Sequence, residues 1–187
     1  MVELSSHNEW ASFPGLIDDE ICNRIVEVCY DYEASKPEIV GEELAVDRRR
    51  GSMRKLKKMS YSEWIYDIIH FAAHAANEKY FHLALSDIIK DPEYVEYPAG
   101  DGQFDWHNDY GQERPLSRRK MTVSIQLSAS SDYEGGDLQL FDAAGSTLPR
   151  ERGTVSVFPS FYYHRITPVT AGLRRALVGW VAGPALV

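Results

Sequence analysis

Residues 121–127 read MTVSIQL, which in an extended chain sets Met121, Val123, Ile125 and Leu127 on one side and Thr122, Ser124 and Gln126 on the other. Strict alternation over seven residues marks a strand with one apolar and one polar face. Further short runs of β character lie around it: YVEYPA (94–99), QFDWHND (103–109), DLQLFD (137–142), GTVSVFP (153–159) and RRALVGWVA (174–182). The turn signals AGDG, EGGD, AAGS and TAGL separate them. Upstream of these runs the period becomes helical. Ile21, Ile25, Val28, Cys29 and Tyr32 predict a helix capped by Asp18 or Asp19 and running to about Glu33. A second helix should follow Ser60 or Ser62, with Trp64, Ile65, Ile68, Ile69, Ala72, Ala73 and Ala76 on its apolar face. Ser60 and Glu63 there have capping-box spacing. Helices followed by many short strands read as α+β, a jelly roll or sandwich buttressed by N-terminal helices. The expected layout is one domain over residues 1–187, with helical support at about 14–90 and a jelly-roll core at about 91–187.

Composition narrows the function classes. The chain has 187 residues, 44% hydrophobic and 26% charged, enough for one domain with a real core. No run approaches the ~18 apolar residues that would span a bilayer, and MVELSSHNEW lacks the basic-then-apolar layout of a signal peptide. The expectation is a soluble, cytoplasmic protein that does not engage membranes. A net charge of −8 argues against capture of nucleic acid by the whole surface. Cys22 and Cys29 sit about 10 Å apart along one helix face, beyond disulfide reach, and read as buried thiols.

The segment FDWHNDYGQE (104–113) carries His107 and Asp109 two positions apart. In an extended strand both face one way, with Asn108 turned aside, so the pair can converge on one ion. An imidazole and a carboxylate are two of the three protein ligands of a 2-His-1-carboxylate site. A third ligand must come from distant chain. His164, which follows the β-run ending at Pro159, is the candidate. His70 and His74 lie at i and i+4 on the second helix, but HFAAH lacks the glutamate of a zinc-protease motif, and the pair reads as helix-face residues. His7 and His82 show no partners in the sequence. Arg174 and Arg175 open an otherwise apolar run, and a guanidinium fork suits a buried carboxylate. Alternation turns the two to opposite faces, so one can enter a site; periodicity does not choose between them.

Taken together, EYPAGDGQFDWHND, YEGGDLQLF and GTVSVFPSFYYHRITPVTAGLRRALVGWV resemble the core of Fe(II)/2-oxoglutarate-dependent oxygenases of the prolyl 4-hydroxylase-like and PKHD-type group, over about residues 94–183. The resemblance implies a double-stranded β-helix with Fe(II) held by His107, Asp109 and His164. It implies Arg174 as partner of the far carboxylate of 2-oxoglutarate, with the Tyr97 hydroxyl as second donor. Arg175 stands where such relatives often carry an aromatic residue. Gln126 either reaches toward co-substrate or substrate, or hydrogen-bonds inside the sandwich. The implied reaction consumes O2 and 2-oxoglutarate, releases succinate and CO2, and hydroxylates a substrate C–H bond, with ascorbate as an accessory reductant. A carboxylate at position 109 leaves no vacant ligand position for a halide, which favours hydroxylation over halogenation.

A prolyl residue of a peptide or protein is the substrate that the resemblance favours. A small molecule or nucleic acid is the alternative, although Trp180 occupies the position where repair-type demethylases carry a second arginine. A non-redox, cupin-like binding protein is the reading from another class. The segment DRRRGSMRKLKK holds seven Lys or Arg between Arg48 and Lys58 and reads either as solvated or as bordering a substrate groove. Tyr110 and GQERPLSRR read as a mobile loop near the site, and Tyr61, Tyr162 and Tyr163 as core or groove residues.

Overall fold

The computed structural model describes residues 5–6, 9–36, 48–100, 102–112 and 115–185. Two antiparallel sheets form the core. The larger contains β1 (Ser5–Ser6), β2 (Ala11–Phe13), β4 (Ser52–Lys55), β5 (Glu93–Pro98), β7 (Arg119–Gln126), β10 (Val155–Pro159) and β12 (Val169–Ala182), in the order β1-β2-β10-β7-β12-β5-β4. A short strand, β8 (Tyr133–Gly135), pairs with the start of β12. The smaller sheet has the order β3-β6-β11-β9, from β3 (Arg49–Arg50), β6 (Gln103–His107), β11 (His164–Ile166) and β9 (Leu138–Leu140). This is the jelly-roll arrangement that the alternation predicts.

The helices are α1 (Asp19–Tyr30) and α2 (Glu63–Ala76), the latter continued by a π turn over Asn77–Phe81. They cover the face of the larger sheet formed by Met121, Val123, Ile125, Val155, Val157, Leu177 and Val181. Gly179 lets α2 approach closely, since a Cβ there would lie 2.9 Å from Ile69. The opposite face of the sheet looks toward the smaller sheet, where Val95, Tyr97, Phe158 and Ala176 meet Leu138, Leu140 and Ile166. Asp18 caps α1, its carboxylate accepting from the Ile21 amide at 2.8 Å. Cys22 and Cys29 are buried free thiols, and burial pushes the Cys29 pKa up to about 12. None of the described helices is long and apolar enough to cross a membrane.

Several sequence expectations change. The N-terminal part supplies strands as well as helices. Arg49 of β3 pairs with Glu93 of the other sheet and Arg54 of β4 with Glu96 of the neighbouring β5, both at 3.0 Å. The capping box is not built: Ser62 takes the N-cap position, and its hydroxyl turns back to the Lys57 carbonyl and the Met59 amide. TAGL is not a break either. Val169–Ala182 is one strand, bulged where it pairs with β8, and Gly172 adopts φ +72° there. His7 lies outside the described residues. His82 ends the π turn in the left-handed region at φ 53°.

Candidate active site

β6 ends at His107, and its neighbour in the smaller sheet is His164, the first residue of β11 and directly opposite in register. Asp109 lies beyond the strand, which corrects the expectation of a continuous extended pair. The bend is held by the Asp109 amide donating to the Ser160 carbonyl at 2.9 Å, and it returns the carboxylate to the two imidazoles. Asp109 stands 3.9 Å from His107 Nε2 and 3.5 Å from His164 Nε2. One donor atom from each of the three residues falls within 4.8 Å of the other two.

The surrounding groups fix the donors. His107 Nδ1 lies 2.7 Å from the Asp105 carbonyl and His164 Nδ1 lies 3.0 Å from the Tyr162 carbonyl. A carbonyl only accepts, so each Nδ1 carries the proton and each Nε2 lone pair is left for a metal. Burial, reinforced by the neighbouring His164, holds the His107 pKa down at about 3, so this ring is neutral at neutral pH. Burial opposes ionisation of Asp109, yet His164, His107 and Arg119 outweigh it and keep its pKa at about 2. Thr122 donates to Asp109 Oδ2 at 2.8 Å, and Arg119 donates to the Asp109 carbonyl at 3.3 Å while lying over the Trp180 ring. Two imidazole nitrogens and a charged carboxylate, aimed at one point, fit a divalent ion of the Fe(II) type.

The triad opens on a cavity of about 140 Å3. One water needs about 10–15 Å3 on this measure, so the space accepts a small organic acid. Its apolar wall includes Val95, Leu138, Phe158, Ile166 and Val178. Arg174 enters the cavity from β12, 3% exposed, with its guanidinium 5.6 Å from the centre of the Tyr97 ring; the two residues pair across β12 and β5. Among the described residues no carboxylate pairs with Arg174. A buried guanidinium without a counter-ion is costly, and an anionic ligand relieves that cost. Burial holds the Tyr97 pKa above the ordinary phenol value despite Arg49 and Arg174, so the hydroxyl stays a donor. Arg175 points to the other face of the sheet, where it meets Glu96.

Gln126 does not line this cavity. Its amide donates to the Ser128 carbonyl at 3.1 Å and the Tyr133 hydroxyl at 3.0 Å, beside a smaller space that also touches Arg174. Sequence reading missed Arg49, Glu93, Thr122, Arg119 and Trp180 in the cavity wall. Thr122 was legible, on the polar face of β7. Arg49 and Arg119 stand in basic runs that resemble solvated surface. The basic segment does not form one patch: Arg49 is buried, whereas Lys58 meets Glu63 at the surface. In the loop after the triad, Leu116 lines the cavity and the Tyr110 amide donates to the Ser160 carbonyl; residues 113 and 114 lie outside the described part. Tyr61 and Tyr163 are exposed, while Tyr162 packs against the core between the sheets. His70 and His74 stack on α2, away from the triad.

The jelly roll thus carries a His-Asp-His cluster beside a cavity between its sheets, a candidate metal centre. The sequence profile of the 2OG-Fe(II) oxygenase superfamily matches residues 92–182, which hold the triad, Arg174 and Tyr97. A PKHD-type hydroxylase of Idiomarina loihiensis is 43% identical over 65 residues, covering 34% of this chain and 30% of the relative. One from Burkholderia ambifaria is 34% identical over 121 residues, covering 62% and 52%. The matches thus span about half or less of the curated relatives. Two solved structures share the fold: a Pseudomonas putida prolyl-4-hydroxylase (TM-score 0.73, 18% identity, 95% of this chain and 94% of that one) and a Trichoplax adhaerens prolyl hydroxylase in complex with a hypoxia inducible factor peptide fragment (0.77, 14%, 94% and 84%).

Proposed function

We propose that this protein is an Fe(II)/2-oxoglutarate-dependent dioxygenase that hydroxylates a C–H bond, with a prolyl residue of a peptide or protein as substrate. The observation that carries the reading is the pairing of the His107, Asp109 and His164 donors with an unpaired Arg174 in the same buried cavity. In this reading those three residues hold the iron. Bound Fe(II) supplies O2 activation coupled to oxidative decarboxylation of 2-oxoglutarate, one oxygen atom entering succinate and the other the substrate C–H bond.

The chain's own residues set the conditions for that chemistry. Arg174 and the Tyr97 hydroxyl hold the far carboxylate of the co-substrate through charge-assisted hydrogen bonds. Thr122 and Arg119 orient Asp109, and the carbonyls of Asp105 and Tyr162 orient the imidazoles. The wall of Val95, Leu138, Phe158, Ile166 and Val178 excludes water from the reacting centre. Gln126 is held by Ser128 and Tyr133 and lines, with Arg174, the smaller space beside the cavity. PKHD-type relatives and a fold neighbour that holds a peptide favour a peptide substrate over a small molecule or nucleic acid.

The test is succinate formation by anaerobically Fe(II)-loaded protein exposed to O2 and 2-oxoglutarate, with proline-containing peptides, nucleotides or no substrate. Peptide-stimulated succinate with a product heavier by one oxygen atom is the expected result. Stimulation by nucleotides alone would remove the prolyl assignment, and no succinate in any arm would remove the oxygenase itself.

A further inference from the structure

The outer side of α2 and of the π turn that continues it carries four side chains able to bind metal in a row: Asp67, His70, His74 and Glu78. Their spacing of three, four and four residues keeps them on one helix face, about 4.5–6 Å apart along the axis. All four line one open depression on the surface of α2. None of them makes a hydrogen bond or ion pair with another described residue. The two imidazoles instead stack on each other, with ring centres 4.0 Å apart and 26° between planes. His74 Nε2 is buried and has no hydrogen-bond partner.

These observations are independent of the cavity between the sheets, which α2 faces only through the apolar back of the larger sheet. A buried ring nitrogen without a partner is an unmet polar group, and metal coordination satisfies it. Imidazoles at i and i+4 can bring one nitrogen each to a common ion, the His pair of the helical zinc motif. Here that requires the exposed His70 ring to turn from its stacked position. Asp67 and Glu78, one turn beyond each histidine, supply negative charge and further oxygen donors. Two imidazoles select late first-row divalent ions over Mg(II) or Ca(II), which prefer all-oxygen sites.

We propose that His70 and His74, flanked by Asp67 and Glu78, form a second metal site on α2 that binds Ni(II), Cu(II) or Zn(II) separately from the His107–Asp109–His164 cluster. Such an ion ties two turns of α2 together and stabilises the folded chain, because the unfolded chain does not hold both rings in register. Metal content per chain then reports two sites rather than one.

Calorimetric titration of tag-free, metal-stripped protein with Ni(II) tests this, comparing wild type with His70→Ala and His107→Ala and following thermal unfolding alongside. His70 is exposed, so its alanine variant retains the fold. The expected result is two equivalents in wild type. His70→Ala should weaken one of them about tenfold or more, by removing half of a chelate, and should lose the matching rise in unfolding temperature. His107→Ala should lose the other equivalent and keep that rise. A single wild-type equivalent that His70→Ala leaves intact would overturn the proposal, as would two equivalents in both wild type and His70→Ala.

Discussion

Arg174 and Arg175 are adjacent in β12 and serve two different surfaces of the same sheet. Arg174 faces inward, beside Tyr97 and without a carboxylate partner among the described residues. Arg175 faces the helix layer and reaches Glu96 at 3.5 Å. That carboxylate also accepts from Tyr30 at 2.6 Å, Arg54 at 3.0 Å, Tyr94 at 3.1 Å and Ser52 at 3.1 Å. Among the described residues Arg175 thus has a carboxylate partner on the outer face, and Arg174 has none on the inner face. Polar groups that satisfy one another contribute to the fold; those left unmet in a cavity point to chemistry.

Substitutions on the two faces should separate accordingly. The largest effect belongs to Asp109→Ala, which removes a ligand from the triad and should reduce succinate formation to background; normal turnover would break the metal assignment. Arg174→Ala should raise the 2-oxoglutarate requirement about 10–100-fold, matching the ~1.5–3 kcal/mol of hydrogen bonds to a charged group, with Arg174→Lys between it and wild type in steady-state assays. On the outer face, Gly179→Ala pushes a methyl group into buried Ile69 and should cost about 1–3 kcal/mol in denaturant unfolding.

Glu96→Gln probes the outer network through pH. Burial opposes the charge of Glu96, but the donors from Tyr30, Arg54, Tyr94 and Ser52 outweigh it and lower its pKa. The unfolded chain takes up this proton first. The stabilisation is therefore complete above the unfolded carboxylate value of about 4.3 and is lost as pH falls through the lower folded value. The glutamine variant should be less stable at neutral pH by about 1–2 kcal/mol and should lose less on acidification, as read from unfolding midpoints against pH. Arg175→Ala should show the smallest change, under about 1 kcal/mol, since its ion pair is long and the arginine is partly solvated. Its 2-oxoglutarate requirement should match wild type. A co-substrate defect in Arg175→Ala as large as that of Arg174→Ala would erase the contrast between the faces.

Much of this contrast is written in local sequence. Period-two alternation divides β7 and assigns Arg174 and Arg175 to opposite sides of β12, because neighbouring residues of a strand point oppositely. It does not tell which side is interior. That depends on Glu96 and Tyr30 lying behind the sheet and Tyr97 in front, which are long-range pairings. The histidine and aspartate of the triad were recognisable as ligand types, but the reason they meet was not: Asp109 is turned by a bond to Ser160, fifty-one residues further along. Arg49 and Arg119 were hidden for a related reason. Each stands in a basic run, and only tertiary packing decides which members are buried: Arg49 alone in the first run, Arg119 together with Lys120 in the second.

The most direct measurement is calorimetric titration of 2-oxoglutarate into Fe(II)-loaded protein under anaerobic conditions. One equivalent should bind to wild type and to Arg175→Ala alike, binding should be lost in His107→Ala, and Arg174→Ala should weaken it about 10–100-fold. Absence of binding in wild type, or binding indifferent to His107 and Arg174, would contradict the assignment of the inner face as the co-substrate site.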